Sequence, residues 1–528
     1  YSCKSLILMV LYRKINVMPI SKSEHVFNLV KSLSKAEKRN FRIYAKRIQN
    51  SEQLLFLKLF DLIDKQKNFD EAETCLNLGV SEGAQFSNLK RHLYSQIIAS
   101  LRMLFKEKGA NYKVREYVDY AYILYGKGLY IQALKILKKA KEMAKKHHLI
   151  YLQLTIIEFE KKIETRHITR SGTNYALNLL EESERIQKNA NHLVGLSNLR
   201  IQMHAKYLQD GHVKSREEAE AIRAYYHAKI DPMDFNDLGL MERIFYVQSR
   251  VWYNYILLDF KSCMKYAVEW IELLDRYPNM IERDTDLYMR GYHYVLTAAN
   301  HTKNYTIHKE YLERFEAFRY SNYKRFNANS QILSFLYVHT GRLNSIMLNG
   351  NFNEAEPMIQ KSVGRIRKYN YKLDDHRIMV FYFKFAWIYL GANKTDKAIS
   401  YLNKIINNEL NKLREDIQNY ARILMLICHY EYGNIDILQY LINTYSAYFQ
   451  RKKAVSNFLR ISMDLFSELK SKGPSEHRGI IKKYYEVLKA ITEDSYESRV
   501  LDYVDIISWM DSKIRNIPLQ TYIENKKP

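Results

Sequence analysis

The stretch Tyr117–Ala140, YVDYAYILYGKGLYIQALKILKKA, decides the fold. Ala121 and Leu124 share one helix face, and Gly128 then breaks the pattern. Tyr130, Ala133, Leu137 and Ala140 return at spacings of three or four, the period of an amphipathic helix. A glycine between two such runs ends the first helix. The small side chains let two antiparallel helices approach closely while larger neighbours interdigitate. The stretch therefore reads as a helical hairpin.

The pattern recurs. In Asn349–Ile359, NGNFNEAEPMI, Gly350, Phe352 and Ala355 repeat the order glycine, aromatic, alanine. In Phe385–Ile399, FAWIYLGANKTDKAI, Ala386, Tyr389 and Ala398 repeat the packing positions. Looser copies carry Ala176, Ala219, Cys263, His308 and Leu438. Aligned from Ala133 to Leu438, the successive gaps are 43, 43, 44, 45, 47, 43 and 40 residues. A fixed period of this size means a stacked helical repeat. Ala121, Gly128, Tyr130, Ala133, Gly350, Phe352, Ala355, Ala386 and Ala398 are its structural positions. They resemble the tetratricopeptide (TPR) repeat, strongly in three units and loosely in five, over about residues 112–450. The period is longer than that family's usual ~34 residues, so helices of about 16–18 residues are expected. HEAT and armadillo repeats share the period, but the Gly-aromatic-Ala turn favours the TPR-like reading. The plan, with its N-terminal SLSKAEKRNF, is also similar to large bacterial families of helical repeats.

Composition agrees. At 528 residues the chain exceeds what one compact core serves. Hydrophobic residues make up 47%, while 17 glycines and 7 prolines are too few for turn-rich β or phosphate-loop folds. The expected fold class is all-α: a right-handed α-solenoid of about eight to nine TPR-like antiparallel hairpins with helical N- and C-terminal caps. Residues 1–17 read as an upstream extension, because Met18 is a better start. Residues 18–108 read as an N-terminal helical module. Within it, Ser34 and Glu37 form a capping box, Ser51 caps a second helix, and a third runs from about Phe86 to Phe105. Residues 109–470 are the repeat region. Residues 471–528 form a last hairpin and a capping helix at about 497–515.

The cysteines, Cys3, Cys75, Cys263 and Cys428, are far apart and form no CxxC pair. This pattern argues against a zinc site or a disulfide framework and implies a reducing, cytoplasmic setting. The apolar run Leu6–Tyr12 is far shorter than the ~20 residues of a membrane span. Phosphate-loop, dinucleotide, zinc-protease and nucleophile-elbow motifs are absent from the sequence. The expectation is a non-enzymatic protein with no cofactor and no metal. The adjacent His147 and His148 would point about 100° apart on a helix.

The resemblance to TPR proteins implies that first helices line the groove where a peptide binds. Tyr117, Tyr122, Tyr125, Tyr253, Tyr292 and Tyr389 fall on those helices and are the candidate partner contacts. With a net charge of +24, an acidic protein or peptide partner is expected. Lys35, Arg39, Arg42 and Lys46 share one helix face and are candidate contacts to phosphate or an acidic partner. They carry the alternative reading, a regulator whose N-terminal module binds nucleic acid. A second basic run, Lys135–His148, reads as an outer helix face and a dipole-compensated C-terminus.

Overall fold

The computed structural model describes residues 24–48, 55–105, 109–167, 173–213, 215–231, 233–234, 238–369, 373–407, 415–451, 456–493 and 505–526. These residues form 25 α-helices and no strand, an arrangement consistent with a helical-repeat solenoid. The expected extension 1–17, the Ser51 cap and the start of the 497–515 helix lie outside them. The chain divides into two compact units, residues 1–183 and 184–528.

In the first unit, α1 (Glu24–Ser32), α2 (Lys35–Ile48), α3 (Leu55–Lys65), α4 (Glu71–Leu78) and α5 (Ala84–Phe105) enclose one core. Its members include Val30, Phe41, Phe56, Phe60, Phe86 and Ile97. The capping box is present at α2. Ser34 Oγ accepts from the Glu37 N–H at 3.3 Å, and Glu37 Oε2 accepts from the Ser34 N–H at 2.7 Å. Next come α6 (Ala110–Gly126), α7 (Tyr130–Lys146) and α8 (Ile150–His167), around a second core. Ala121, Ala133 and Ala140 are fully buried there, where α6 and α7 pack closely.

Helix α9 (Thr173–Asp210) contributes its start to the first unit and the remainder to the second. The turn expected before Ala176 falls within residues 168–172, outside the described residues. Ala176 itself is exposed, and α9 runs uninterrupted for 38 residues where helices of about 16–18 are expected; no proline interrupts it.

The second unit continues with α10 (Arg216–Ile230), then α11 (Leu240–Ile256) paired with α12 (Phe260–Asp275), and the short α13 (Pro278–Arg283). Helix α14 (Thr285–His301) pairs with α15 (Tyr305–Asn322), and α16 (Ala328–Asn349) with a 3-10 turn and α17 (Glu356–Tyr369). Three more pairs follow: α18 (Asp375–Gly391) with α19 (Thr395–Ile406), α20 (Glu415–Tyr432) with α21 (Ile435–Gln450), and α22 (Asn457–Ser471) with α23 (Pro474–Glu493). First helices also pack on first helices: α14 on α16, α16 on α18, α18 on α20, α20 on α22. The second helices of neighbouring pairs do not pack as closely, so the first helices line the tighter side.

One turn recurs in both units. Gly128, Leu258, Lys303, Gly350, Asn393 and Gly433 all have positive φ, between 51° and 76°. Each stands five residues before Ala133, Cys263, His308, Ala355, Ala398 or Leu438, all buried. In five of these turns an amide reaches back five residues. Leu129 N–H donates to Leu124 O at 3.0 Å, Asp259 to Asn254 at 2.9 Å, Asn304 to Ala299 at 2.8 Å, Lys394 to Tyr389 at 2.8 Å and Asn434 to His429 at 3.1 Å. This closes the first helix and aims the next back along it.

The C-terminus departs from the predicted terminal cap. Helix α24 (Ile506–Arg515) does pack on α23, with Trp509 buried against Phe466. The Trp509 indole N–H donates to Glu431 Oε1 at 2.6 Å. The chain then runs back across earlier turns. Asp505 lies 3.8 Å from the Lys303 ammonium, and in α25 (Leu519–Glu524) Gln520 Oε1 accepts from the Asn353 N–H at 3.3 Å. A side chain 167 residues away thus secures the Gly350 turn.

Ala133→Arg is expected to destabilise the chain by about 3 kcal/mol, by forcing bulk and charge into a closed helix contact. Ala176→Arg is expected to stay within about 0.5 kcal/mol. Urea denaturation of the two variants checks the pair. Gly433→Ala has open space around its Cβ and is expected to cost about 1–2 kcal/mol from φ alone. A Cβ on Gly350 would stand 3.1 Å from Gln520 O and 3.2 Å from Glu524 N. Gly350→Ala is therefore expected to show the larger loss in thermal melts.

Candidate partner-binding face

In the α11–α12 and α14–α15 pairs charge is segregated between first and second helices, whereas the first helices α20 and α22 carry Glu431, Asp464 and Glu468 past their first turns. Helices α11, α14 and α18 carry one carboxylate each, Glu242, Asp286 and Asp375, all in the first turn, and α16 carries none. Past their first turns these four helices bear only cationic and neutral side chains. Second helices take the acids: Glu269, Glu272 and Asp275 on α12, and Glu310, Glu313 and Glu316 on α15.

Side chains one helical turn apart link successive first helices into a wall. On α9, Arg200 and His204 are spaced i, i+4; on α11, so are Gln248 and Trp252. Arg200 donates to Gln248 Oε1 at 2.8 Å, and its guanidinium lies over the Phe245 ring at 4.5 Å. His204 meets Trp252 edge-on at 4.8 Å, and Trp252 meets Tyr294 of α14 at 5.4 Å. One turn away, Arg290 neighbours Tyr294 and the Tyr337 hydroxyl of α16. His293 stacks on Tyr337 at 4.4 Å and 11°. Farther on, Lys384 of α18 donates to Asn344 of α16 at 2.7 Å. Burial first, then the charges of Arg377, Arg290 and Lys384, push the His293 imidazole down to about 3. It is neutral at physiological pH. Burial and then the neighbouring arginines also lower the His204 imidazole. The wall is cationic through its arginines and lysine.

The tyrosines singled out from sequence divide. Tyr253, Tyr292 and Tyr389 are only 6%, 2% and 2% exposed. Tyr253 stacks on Tyr226 at 4.1 Å, Tyr292 on Phe315 at 5.0 Å, and Tyr389 on Tyr401 at 5.9 Å. All three rings face second helices and offer a partner no surface. Trp252 and His293, one position away, face the neighbouring first helices instead, because adjacent helical residues diverge by about 100°. In the first unit, Tyr122 is 49% exposed and stacks on Phe159 at 4.1 Å. Tyr125 meets the edge of the same ring, and Tyr117 lies beneath the Lys113 ammonium. The signal that finds the wall is the i, i+4 spacing of Arg200 and His204 and of Gln248 and Trp252, on stretches of α9 and α11 without a neighbouring carboxylate, not tyrosine abundance.

The N-terminal stripe is partly engaged. Arg42 pairs with Asp61 at 2.7 Å and Asp64 at 3.0 Å, and Lys38 with Asp64 at 2.5 Å, tying α2 to α3. Lys35, Arg39 and Lys46 are exposed. In the second basic run, Lys141 bridges Glu160 at 2.6 Å and Glu182 at 2.9 Å. Cys75, Cys263 and Cys428 are buried thiols whose pKa burial raises. Among the described residues no group of three or more His, Cys, Asp or Glu side chains is arranged to hold a metal, and no helix is long and apolar enough to cross a membrane. A cleft of about 300 Å³ lies among Leu312, Arg342, Ser345, Asn349 and Met358, with Arg342 tied to Glu316. Comparisons with protein-family models, curated proteins and solved structures found no match to the chain.

Tyr389 belongs to a second-helix network with a testable titration. Its hydroxyl donates to Glu356 at 3.1 Å, and Lys397 lies 3.0 Å from the same carboxylate. Burial would raise the Glu356 pKa, but hydrogen bonds from Lys397, Gln360, Tyr389 and Lys394 outweigh it and hold the group at about 2. The folded value is below the unfolded one. The stabilisation is therefore complete above about pH 4.5 and lost as pH falls toward about 2. With 29% of the side chain exposed, screening limits it to about 1 kcal/mol. Glu356→Gln is expected to flatten that acid limb in denaturation curves measured across pH 2–5, and an unaltered limb would contradict the network.

Proposed function

We propose that this chain is a non-enzymatic interaction protein that binds an acidic segment of a protein partner on the first-helix face of the second unit. The finer architecture we infer is a right-handed TPR-like solenoid of about eight to nine hairpins, acting in the cytoplasm. The recurring left-handed turn, five residues before a buried side chain, supports the TPR-like reading. The single observation that carries the function is the lack of any carboxylate past the first turn of α11, α14, α16 and α18, on a face bearing Arg290 and Lys384. A surface of one sign attracts a complementary chain and repels like charge, giving specificity and a fast encounter. The N-terminal stripe gives the nucleic-acid alternative less support, because Arg42 and Lys38 already serve Asp61 and Asp64.

Fluorescence anisotropy with a labelled oligoglutamate peptide tests this reading. Binding is expected at low salt and should weaken steeply as salt rises. A labelled single-stranded oligonucleotide of equal charge is expected to bind more weakly. Absence of peptide binding, or preference for the oligonucleotide, would overturn the proposal.

A further inference from the structure

We infer that Arg200 on α9 and Arg290 on α14, with Trp252 on α11 one helical turn along, form the anchor of this face. They receive a peptide carboxylate that stands beside a bulky apolar side chain. The inference rests on the acidic-segment reading and narrows it to a place and a ligand chemistry.

Neither arginine forms an ion pair with any described residue, whereas Arg342 on α16 and Arg377 on α18 pair with Glu316 and Asp374. Arg200 has the neutral Gln248 oxygen at 2.8 Å, and Arg290 has the Tyr337 hydroxyl beside it. The nearest acid, Asp284, caps α14 by accepting the Leu287 N–H at 3.0 Å. The two guanidiniums thus share one neighbourhood beside His204, and Asp284 offsets their mutual repulsion only in part. Burial and then Arg290 push the Arg200 guanidinium below its ordinary value. An arriving carboxylate would relieve that repulsion and accept charge-assisted hydrogen bonds from two planar forks.

The surface one turn beyond the cations is aromatic. Trp252 is half-buried, with His204 at 4.8 Å and Tyr294 at 5.4 Å meeting it edge-on and Tyr207 tilted at 5.6 Å. Phe245 lies under Arg200. Such a surface suits an aliphatic or aromatic side chain next to the acid. It suits nucleic acid poorly, because the indole is crowded by other rings and leaves little open face for base stacking.

The test uses the full chain and three labelled probes of equal charge: a peptide of mixed glutamate and leucine, a peptide of mixed glutamate and serine, and a single-stranded DNA oligonucleotide. The glutamate–leucine peptide is expected to bind most tightly. Arg200→Gln and Arg290→Gln should each weaken it about tenfold, while Arg200→Lys and Arg290→Lys keep part of the affinity. Thermal melts verify folding. If a glutamine variant melts early, the lysine variants and Trp252→Phe carry the test, the latter erasing the preference for leucine over serine. Equal binding by wild type and folded glutamine variants would overturn the anchor and leave the acidic-segment reading standing. Equal affinity for the two peptides would also overturn the anchor. Failure of both peptides to bind wild type overturns both readings, as does tighter binding of the oligonucleotide.

Discussion

The structure depends on one backbone event, a single left-handed residue that stops a helix and sends the next one back along it. Six such residues stand five positions before a buried side chain that sits where two helices meet. Glycine takes this conformation without strain, whereas Leu258, Lys303 and Asn393 take it at a cost of about 1–2 kcal/mol. Native packing must offset that cost. The fifth residue is buried every time, as alanine, cysteine, histidine or leucine. Turn and contact therefore act as one unit, and repeating the unit builds the stack.

The turn also decides which side chains meet. Tyr292 and Tyr389 are buried within their helix pairs, and Tyr253 against the preceding second helix, α10. The residues about 100° away along the same first helix are left to meet the next first helix. Those positions hold Trp252, His293, Tyr294 and Arg290, and no acid past the first turn accompanies them. On α12 and α15 carboxylates crowd the second helices instead; Glu316 of α15 reaches back to Arg342 of α16, and Glu356 of α17 pairs with Lys397 of α19. Around α11, α14, α16 and α18 the fold thus leaves a mainly cationic set of first helices.

Much of this was legible in the sequence where the turn is written with glycine. Gly128 and Gly350, with Ala133 and Ala355 after them, read directly as hairpins, and the register carried through to Leu438. Where Leu258 and Lys303 replace glycine, the turn kept its geometry but lost its sequence signal. Ala176 is exposed on the 38-residue α9, because periodicity places a small residue without fixing which face of a long helix is covered. Tyrosine abundance does not distinguish helix faces: Tyr253, Tyr292 and Tyr389 are buried, while Trp252 and His293, one residue away, turn toward neighbouring first helices. The return of residues 505–526 to the Lys303 and Gly350 turns was invisible, since no local pattern encodes a contact across 167 positions. The cationic wall was readable in principle, as basic and aromatic residues four apart on helix stretches without a neighbouring carboxylate.

The central claim is that a partner lies on the first helices and not on the second. Site-specific photo-crosslinking tests it most directly. A photoreactive residue at Thr297 lies two turns beyond Arg290 and one beyond His293 on α14, and one at Glu313 lies on the exposed side of α15. A bound acidic peptide should be captured from position 297 and not from position 313. Capture from position 313 alone, or equally from both, would contradict the account.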